Sequence, residues 1–512
     1  MTTHKKSLPL DGRNFTQSQQ GLPPAKQAHP ISLRVSTGIT GLDEILYGGF
    51  IPRRAYLVRG GPGCGKTTLG LHFLTEGVAR GERSLFITLG EPEAELRANA
   101  QALGFDLAQV HFLDLSPNAA FFTEMQTYDI FSPAEVEREP VTQQILDLIE
   151  ALQPQRVFLD AMTQFRYLAS DSSQFRKQVL SFLRFLVEQG ATTLFTSEGT
   201  VAVPDDDLQF LSDGVIHLYF QGEGRTLSVS KFRGSDFRSG NHAMRLTAQG
   251  MLIFPHLLPE QHARPFVKEM IASGVPELDE LLHGGLERGT ISILTGPTGV
   301  GKTTLGLQFM KEAAGRGERS VVYIFEELQE MLIQRCEALN IPVQAMLERG
   351  TLSVVQIEPL HLTPDEFARM VRTEVEQQHA SIVMIDSIAG YSVSLRTGEV
   401  SIHLHALCKY LQNMGVAVLL INEVHSIVGE LQVSDLAISN LADNIVFLRY
   451  LELKGEIRKV IGVLKKRLSN FERTLREIEL SRYGIKVGRP LTNLQGILTG
   501  RASFIDAASR EE

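Results

Sequence analysis

Short apolar runs rich in β-branched residues occur along the chain in two sets of the same order. AYLVRG (Ala55–Gly60), SLFITL (Ser84–Leu89) and RVFLDA (Arg156–Ala161) form the first set. ISILTG (Ile291–Gly296), SVVYIF (Ser320–Phe325) and SIVMID (Ser381–Asp386) form the second. Each run reads as a buried strand, and the alternation of strands with helical stretches predicts a mainly parallel sheet with helices on both faces in each half. TGITGLDEILYGGF (Thr37–Phe50) and SGVPELDELLHGGL (Ser273–Leu286) are 236 residues apart and match one another, which makes the chain an internal duplication of a whole domain.

The first strand of each set runs directly into a phosphate-binding loop, GGPGCGKTT from Gly60 to Thr68 and GPTGVGKTT from Gly296 to Thr304. Glycines let successive backbone N–H groups turn inward on a phosphate, a lysine reaches the β and γ oxygens, and a hydroxyl holds Mg²⁺. Gly61, Gly63, Gly65, Lys66, Thr67 and Thr68 take these places in the first loop, and Gly296, Thr298, Gly299, Gly301, Lys302, Thr303 and Thr304 in the second. Lys66 and Lys302 are also 236 residues apart. ATP and Mg²⁺ are therefore the expected cofactors. Asp160 and Asp386 each close a buried-looking strand, where a carboxylate joins the hydroxyls of Thr67 and Thr303 in the metal shell.

Hydrolysis further needs a carboxylate to orient or deprotonate the attacking water, expected at the end of the strand beside the loop strand. The second half offers Glu326 and Glu327, whereas the first has Gly90 and Glu91 at the matching positions. The two sites are thus expected to differ in rate.

Composition narrows the setting. With 512 residues, a formal net charge of −9 and a pI near 5.9, the chain holds two ordinary domains and has no overall charge that draws it to nucleic acid or an anionic membrane. The cysteines Cys64, Cys336 and Cys408 form no zinc-type pair. No apolar run reaches the length of a membrane span, so the expectation is a cytoplasmic protein without a membrane partner. Residues 1–30, rich in Gln, Ser, Pro and Lys, read as a disordered tail. The remaining boundaries are expected at 31–258 and 259–490 for the two domains, with a tail at 491–512.

Late in each half lie KFRGSDFRSGNHAMRLTAQGMLIFP (Lys231–Pro255) and KKRLSNFERTLREIELSRYGIKV (Lys465–Val487), both hairpin-like with basic residues at one end and a T/S-x-x-G-I/M turn at the other. With these segments, the GLDE…GG stretches, the paired loops, the EE after the second strand and LQGILTG at Leu494–Gly500, the chain from about residue 31 to 500 resembles the KaiC family, double-domain ATPases of the RecA-like class. The fold this implies is α/β, two tandem RecA-like P-loop NTPase domains. The resemblance also implies a homohexamer with ATP at subunit interfaces. In it the K-x-R segment of one subunit, Lys231 and Arg233 in the first ring and Lys465 and Arg467 in the second, reaches phosphates held by its neighbour. It implies in addition a serine autokinase with Ser439 as acceptor, Asn440 replacing a second hydroxyl, and clock or signalling regulators as partners. Leu468 stands where the first segment has a glycine. Two other readings stand beside this one: a RecA-like recombination or helicase factor, and a signalling scaffold in which ATP only holds the ring together.

Overall fold

The computed structural model describes residues 34–116, 138–168, 171–199, 205–221, 224–395, 400–424, 440–453, 455–492, 494–496 and 503–504. In the first half, β1 (Ala55–Gly60), β2 (Ser84–Thr88), β3 (His111–Asp114), β4 (Arg156–Asp160), β5 (Thr192–Ser197), β6 (Gly214–Gln221), β7 (Gly224–Phe232), β8 (His242–Thr247) and β9 (Gly250–Phe254) form one sheet in the order β3-β2-β4-β5-β1-β6-β7-β8-β9. Pairing is parallel from β3 to β6 and antiparallel from β6 onward. A two-stranded piece, β10 (Met270–Ile271) with β11 (Leu286–Glu287), opens the second half.

There β12 (Ile291–Gly296), β13 (Ser320–Ile324), β14 (Leu352–Gln356), β15 (Ile382–Asp386), β16 (Ala417–Glu423), β17 (Asn444–Leu453), β18 (Glu456–Lys466), β19 (Arg476–Ser481) and β20 (Gly484–Pro490) repeat the same order. The six sequence-predicted strands all form. The expected late hairpins are β8–β9 and β19–β20, whose turns place Gly250 at φ 97° and Gly484 at φ 105°, values that favour glycine.

Apolar side chains fill both faces of each sheet, as a parallel sheet under helices requires. The helix after each phosphate loop, Lys66–Ala79 or Lys302–Gly315, lies close on its sheet because of one glycine. A Cβ at Gly70 would stand 2.2 Å from the ring of Phe158, and one at Gly306 would stand 2.4 Å from Met384 Sδ. Close packing of helix on sheet thus fixes the loop above the strand ends.

One expectation about position is corrected. β13, which leads into Glu326 and Glu327, is not beside the loop strand β12; β15 and β16 lie between them. The neighbours of β12 are β16, which ends in Glu423, and β17. The carboxylates still approach the loop, because all the parallel strands end at the same edge of the sheet.

Candidate functional site

Both phosphate loops have the same internal geometry. Gly65 (φ 101°) and Gly301 (φ 115°) precede their helices in the left-handed region, which releases the first backbone N–H groups toward the loop centre. Lys66 Nζ donates to the carbonyls of Gly60 and Gly61 at 2.8 and 3.0 Å, and Lys302 Nζ to those of Gly296 and Pro297 at 2.8 and 2.9 Å. A Cβ at Gly61 or Gly63 would meet nothing within 4 Å, so the mouth of the first loop is open where a phosphate would approach.

The strand-end aspartates reach the loop hydroxyls. Thr67 Oγ1 donates to Asp160 at 2.6 Å, and Thr303 Oγ1 to Asp386 at 2.7 Å. Thr196, on β5, donates to the other oxygen of Asp160. Burial pushes the Asp386 carboxyl up to about 6, against the pull of Thr303, Arg335 and Lys302. A carboxylate disfavoured by desolvation and set beside a hydroxyl is a donor pair that fits a hard divalent cation such as Mg²⁺. Burial also lowers the proton affinity of Lys302, with Glu423 and Asp386 opposing it.

In the second half these groups surround one cavity of about 480 Å³ that gathers Thr298, Gly299, Gly301, Lys302, Thr303 and Thr304 with Glu326, Glu327 and Asp386. The two glutamates have different surroundings. Glu327 receives two hydrogen bonds from the Arg335 guanidinium, at 3.1 and 2.7 Å, while exposed Glu326 accepts one from Ser387 Oγ at 3.1 Å. Glu423 accepts from Thr298 Oγ1 at 2.9 Å and lies 3.7 Å from Lys302 Nζ.

Arg335, Glu423, Lys459 and Leu480 also line the cavity and were not anticipated. Glu423 had a readable signal, since it ends an apolar strand as Asp386 does. Leu480 had none. In the first half, exposed Glu91 has Asn99 at the position matching Arg335, so Gly90 and Asn99 both remove chemistry that the second half retains.

The basic segments lie elsewhere in the chain. Lys231 on β7 pairs with Val215, and Lys465 on β18 with Ile445, each where the ladder has its irregularity, so the two lysines are structural equivalents. Lys231 Nζ donates to the carbonyls of Gln209, Phe210 and Ser212 at 2.7, 3.3 and 2.6 Å, closing the end of helix Asp206–Leu211. Arg233 is 57% exposed and 3.8 Å from Asp213, and Arg467 is 48% exposed and 3.5 Å from Asp443. Neither Lys465 nor Arg467 lines the cavity of its own half. Ser439 lies outside the described residues. Cys64 is buried, with Sγ donating to the Gly61 carbonyl, which is the environment of a small packing residue.

Two phosphate loops of shared geometry, each with a hydroxyl and a strand-end carboxylate, on two sheets of one topology, define a tandem P-loop nucleotide-binding protein. The model of the KaiC ATPase family matches residues 35–257 and again 271–492. The chain belongs to the KaiC family of ATPases. It is 28% identical over 486 residues to the circadian clock protein KaiC3 of Synechocystis sp., covering 92% of this chain and 95% of that one. To the circadian clock oscillator protein KaiC of Synechococcus elongatus it is 27% identical over 514 residues, covering 97% of each. Among the described residues no helix is long and apolar enough to cross a membrane.

Proposed function

We propose that this chain is a Mg²⁺-dependent ATPase that assembles as a homohexamer of two stacked rings and transfers phosphate to its own Ser439. We place it in the cytoplasm, in timekeeping or signalling of the circadian type, a role its relatives' names carry. The observation that carries the reading is the second-half cavity, where Lys302, the Thr303–Asp386 pair and Glu326 face one space. Its functional units are residues 31–258 and 259–490.

In the second site Lys302 and the loop amides bind the triphosphate, and Thr303 with Asp386 would hold Mg²⁺; Thr67 and Asp160 would do so in the first. Bound there, the metal would offset phosphate charge. Glu326, the less encumbered carboxylate, takes the proton from water or from the serine hydroxyl as that oxygen bonds the γ-phosphorus and the bond to ADP, the leaving group, breaks. Glu327 keeps Arg335 in place beside it. Arg467 of a neighbouring chain offsets charge on the transferring group, and Arg233 does the same in the first ring. Lys465 positions the second segment, while Glu91 alone serves the slower first site. Regulator proteins act on this assembly.

Incubation with Mg·ATP followed by native mass measurement and phosphopeptide mapping tests the reading, with Glu326→Gln as control. A hexamer carrying mainly one phosphate per chain is expected, since Asn440 offers no second hydroxyl. A wild type that hydrolyses ATP but stays unmodified removes the kinase part. A protein that binds ATP without turning it over leaves a scaffold.

A further inference from the structure

The segment after β9, which belongs to the first half, meets the second half through His256, Asp365 and His403. One ligand-capable atom of each lies within 4.8 Å of the other two. Asp365 sits in the first turn of helix Pro364–Glu376, and His403 lies on helix Val400–Asn413. The three residues come from separate parts of the sequence, so this juxtaposition is a product of the fold.

The chemistry of the cluster offers a donor set for a cation. His256 Nδ1 faces Asp365 Oδ1 at 2.8 Å, and the ring also hydrogen-bonds the Asn241 backbone. At that distance a proton on Nδ1 joins the pair, and a divalent ion would take the place of that proton beside a carboxylate 93% removed from solvent. A backbone hydrogen bond on the ring orients the imidazole, as such contacts do for metal-bound histidines. Asp365 Oδ2 accepts only a long hydrogen bond from the Ala243 amide at 3.4 Å. His242, though its ring is 4.9 Å from that of His256, is not a donor. Its Nδ1 accepts from the His256 amide and its Nε2 meets the Arg238 carbonyl. The nearby cation Arg245 is held by Glu366 at 2.8 Å and by the His361 carbonyl at 2.6 Å.

We propose that His256, Asp365 and His403 form a site for a divalent transition metal of the Zn²⁺ type, which joins the two halves of one chain. Two imidazoles and a carboxylate are a donor set that Zn²⁺ accepts, with water in the fourth place, whereas Mg²⁺ prefers oxygen alone. The site is separate from the phosphate loops, and its existence does not depend on nucleotide turnover.

The test uses the full chain in excess Mg²⁺ without nucleotide. Zn²⁺ is titrated against a chromophoric chelator, and Co²⁺ is followed by its visible ligand-field absorption. One equivalent per chain is expected, with affinity lowered at least about tenfold in His403→Ala and His256→Gln, as for the loss of a metal-site partner. Since a variant may misfold, histidine acylation by diethyl pyrocarbonate is mapped in the wild type as a second measurement. Zn²⁺ should protect His256 and His403 while leaving exposed His405 reactive. The proposal is overturned by absent stoichiometric uptake, by uptake unchanged in both folded variants, or by equal acylation of His256 and His403 with and without Zn²⁺.

Discussion

The Arg335 guanidinium grips Glu327 through two hydrogen bonds, and this separates two carboxylates that stand side by side in the sequence. Glu326, left with one hydrogen bond from Ser387, is the less encumbered of the two. In a Lys66→Ala background, which isolates the second site, Glu326→Gln should lower turnover by about 10² to 10⁴-fold. Glu327→Gln should cost less, by loosening Arg335. Steady-state phosphate release compares the two, and equal losses would assign the base role to neither one alone.

Lys231 and Arg233 are two residues apart but have different attachments. Lys231→Ala removes three hydrogen bonds from helix-end carbonyls and should lower stability by about 2 kcal/mol in denaturant unfolding. Arg233→Ala breaks only an exposed pair and should shift stability by no more than about 0.5 kcal/mol. If Arg233 and Arg467 act across the subunit boundary, their alanine variants lose turnover in the first and second sites respectively. A loss of about 10³ to 10⁵-fold in the second is the signature of a guanidinium acting on the transferring phosphoryl group.

Gly301→Ala should abolish nucleotide binding by the second loop. The residue has φ 115°, and its Cβ would stand 2.4 Å from Leu480 Cδ1. Adding Leu480→Ala makes room but leaves the backbone strain, so the double variant should recover only part of the affinity for a fluorescent ATP analogue. Full recovery would show that crowding alone was responsible.

His72 links stability of the first half to pH. It accepts a hydrogen bond from the Met251 amide at 2.8 Å, and burial lowers its pKa to about 4. The unfolded histidine, with its ordinary value near 6.5, takes up a proton first as pH falls, so folding stability declines between about pH 6.5 and 4. The contribution is at most about 3 kcal/mol. His72→Gln keeps a hydrogen-bond acceptor and removes the titration. Denaturant unfolding at several pH values should show a shallower acid decline in the variant.

The fold was legible because its signals are local: strand runs and glycine-lysine loops lie within short windows, and the repeat showed itself as the same short windows recurring 236 residues on. Thr303 and Asp386 were legible for the same reason, each marked by its place at a strand or helix end. What escaped depends on pairing between distant segments. The separation of β13 from β12 follows from strand order, which no short window encodes. Arg335 was hidden among the polar residues of a helix, although its first-half counterpart Asn99 carried a hint of asymmetry. Leu480 looked like any apolar residue of a hairpin until it was seen against Gly301.

The β8–β9 hairpin touches two things at once. At one end a Cβ on Gly65 would lie 2.9 Å from Met251 Cε and 3.1 Å from Leu246 Cδ2, so the ribbon bears on the first phosphate loop. Along its length Arg245 pairs with Glu366, the Ala243 amide meets Asp365, and the Ile253 carbonyl accepts from Arg369, all on the opening turns of one second-half helix. One ribbon of the first half thus serves as a shared wall, closing the first phosphate loop on one side and seating a helix of the second half on the other.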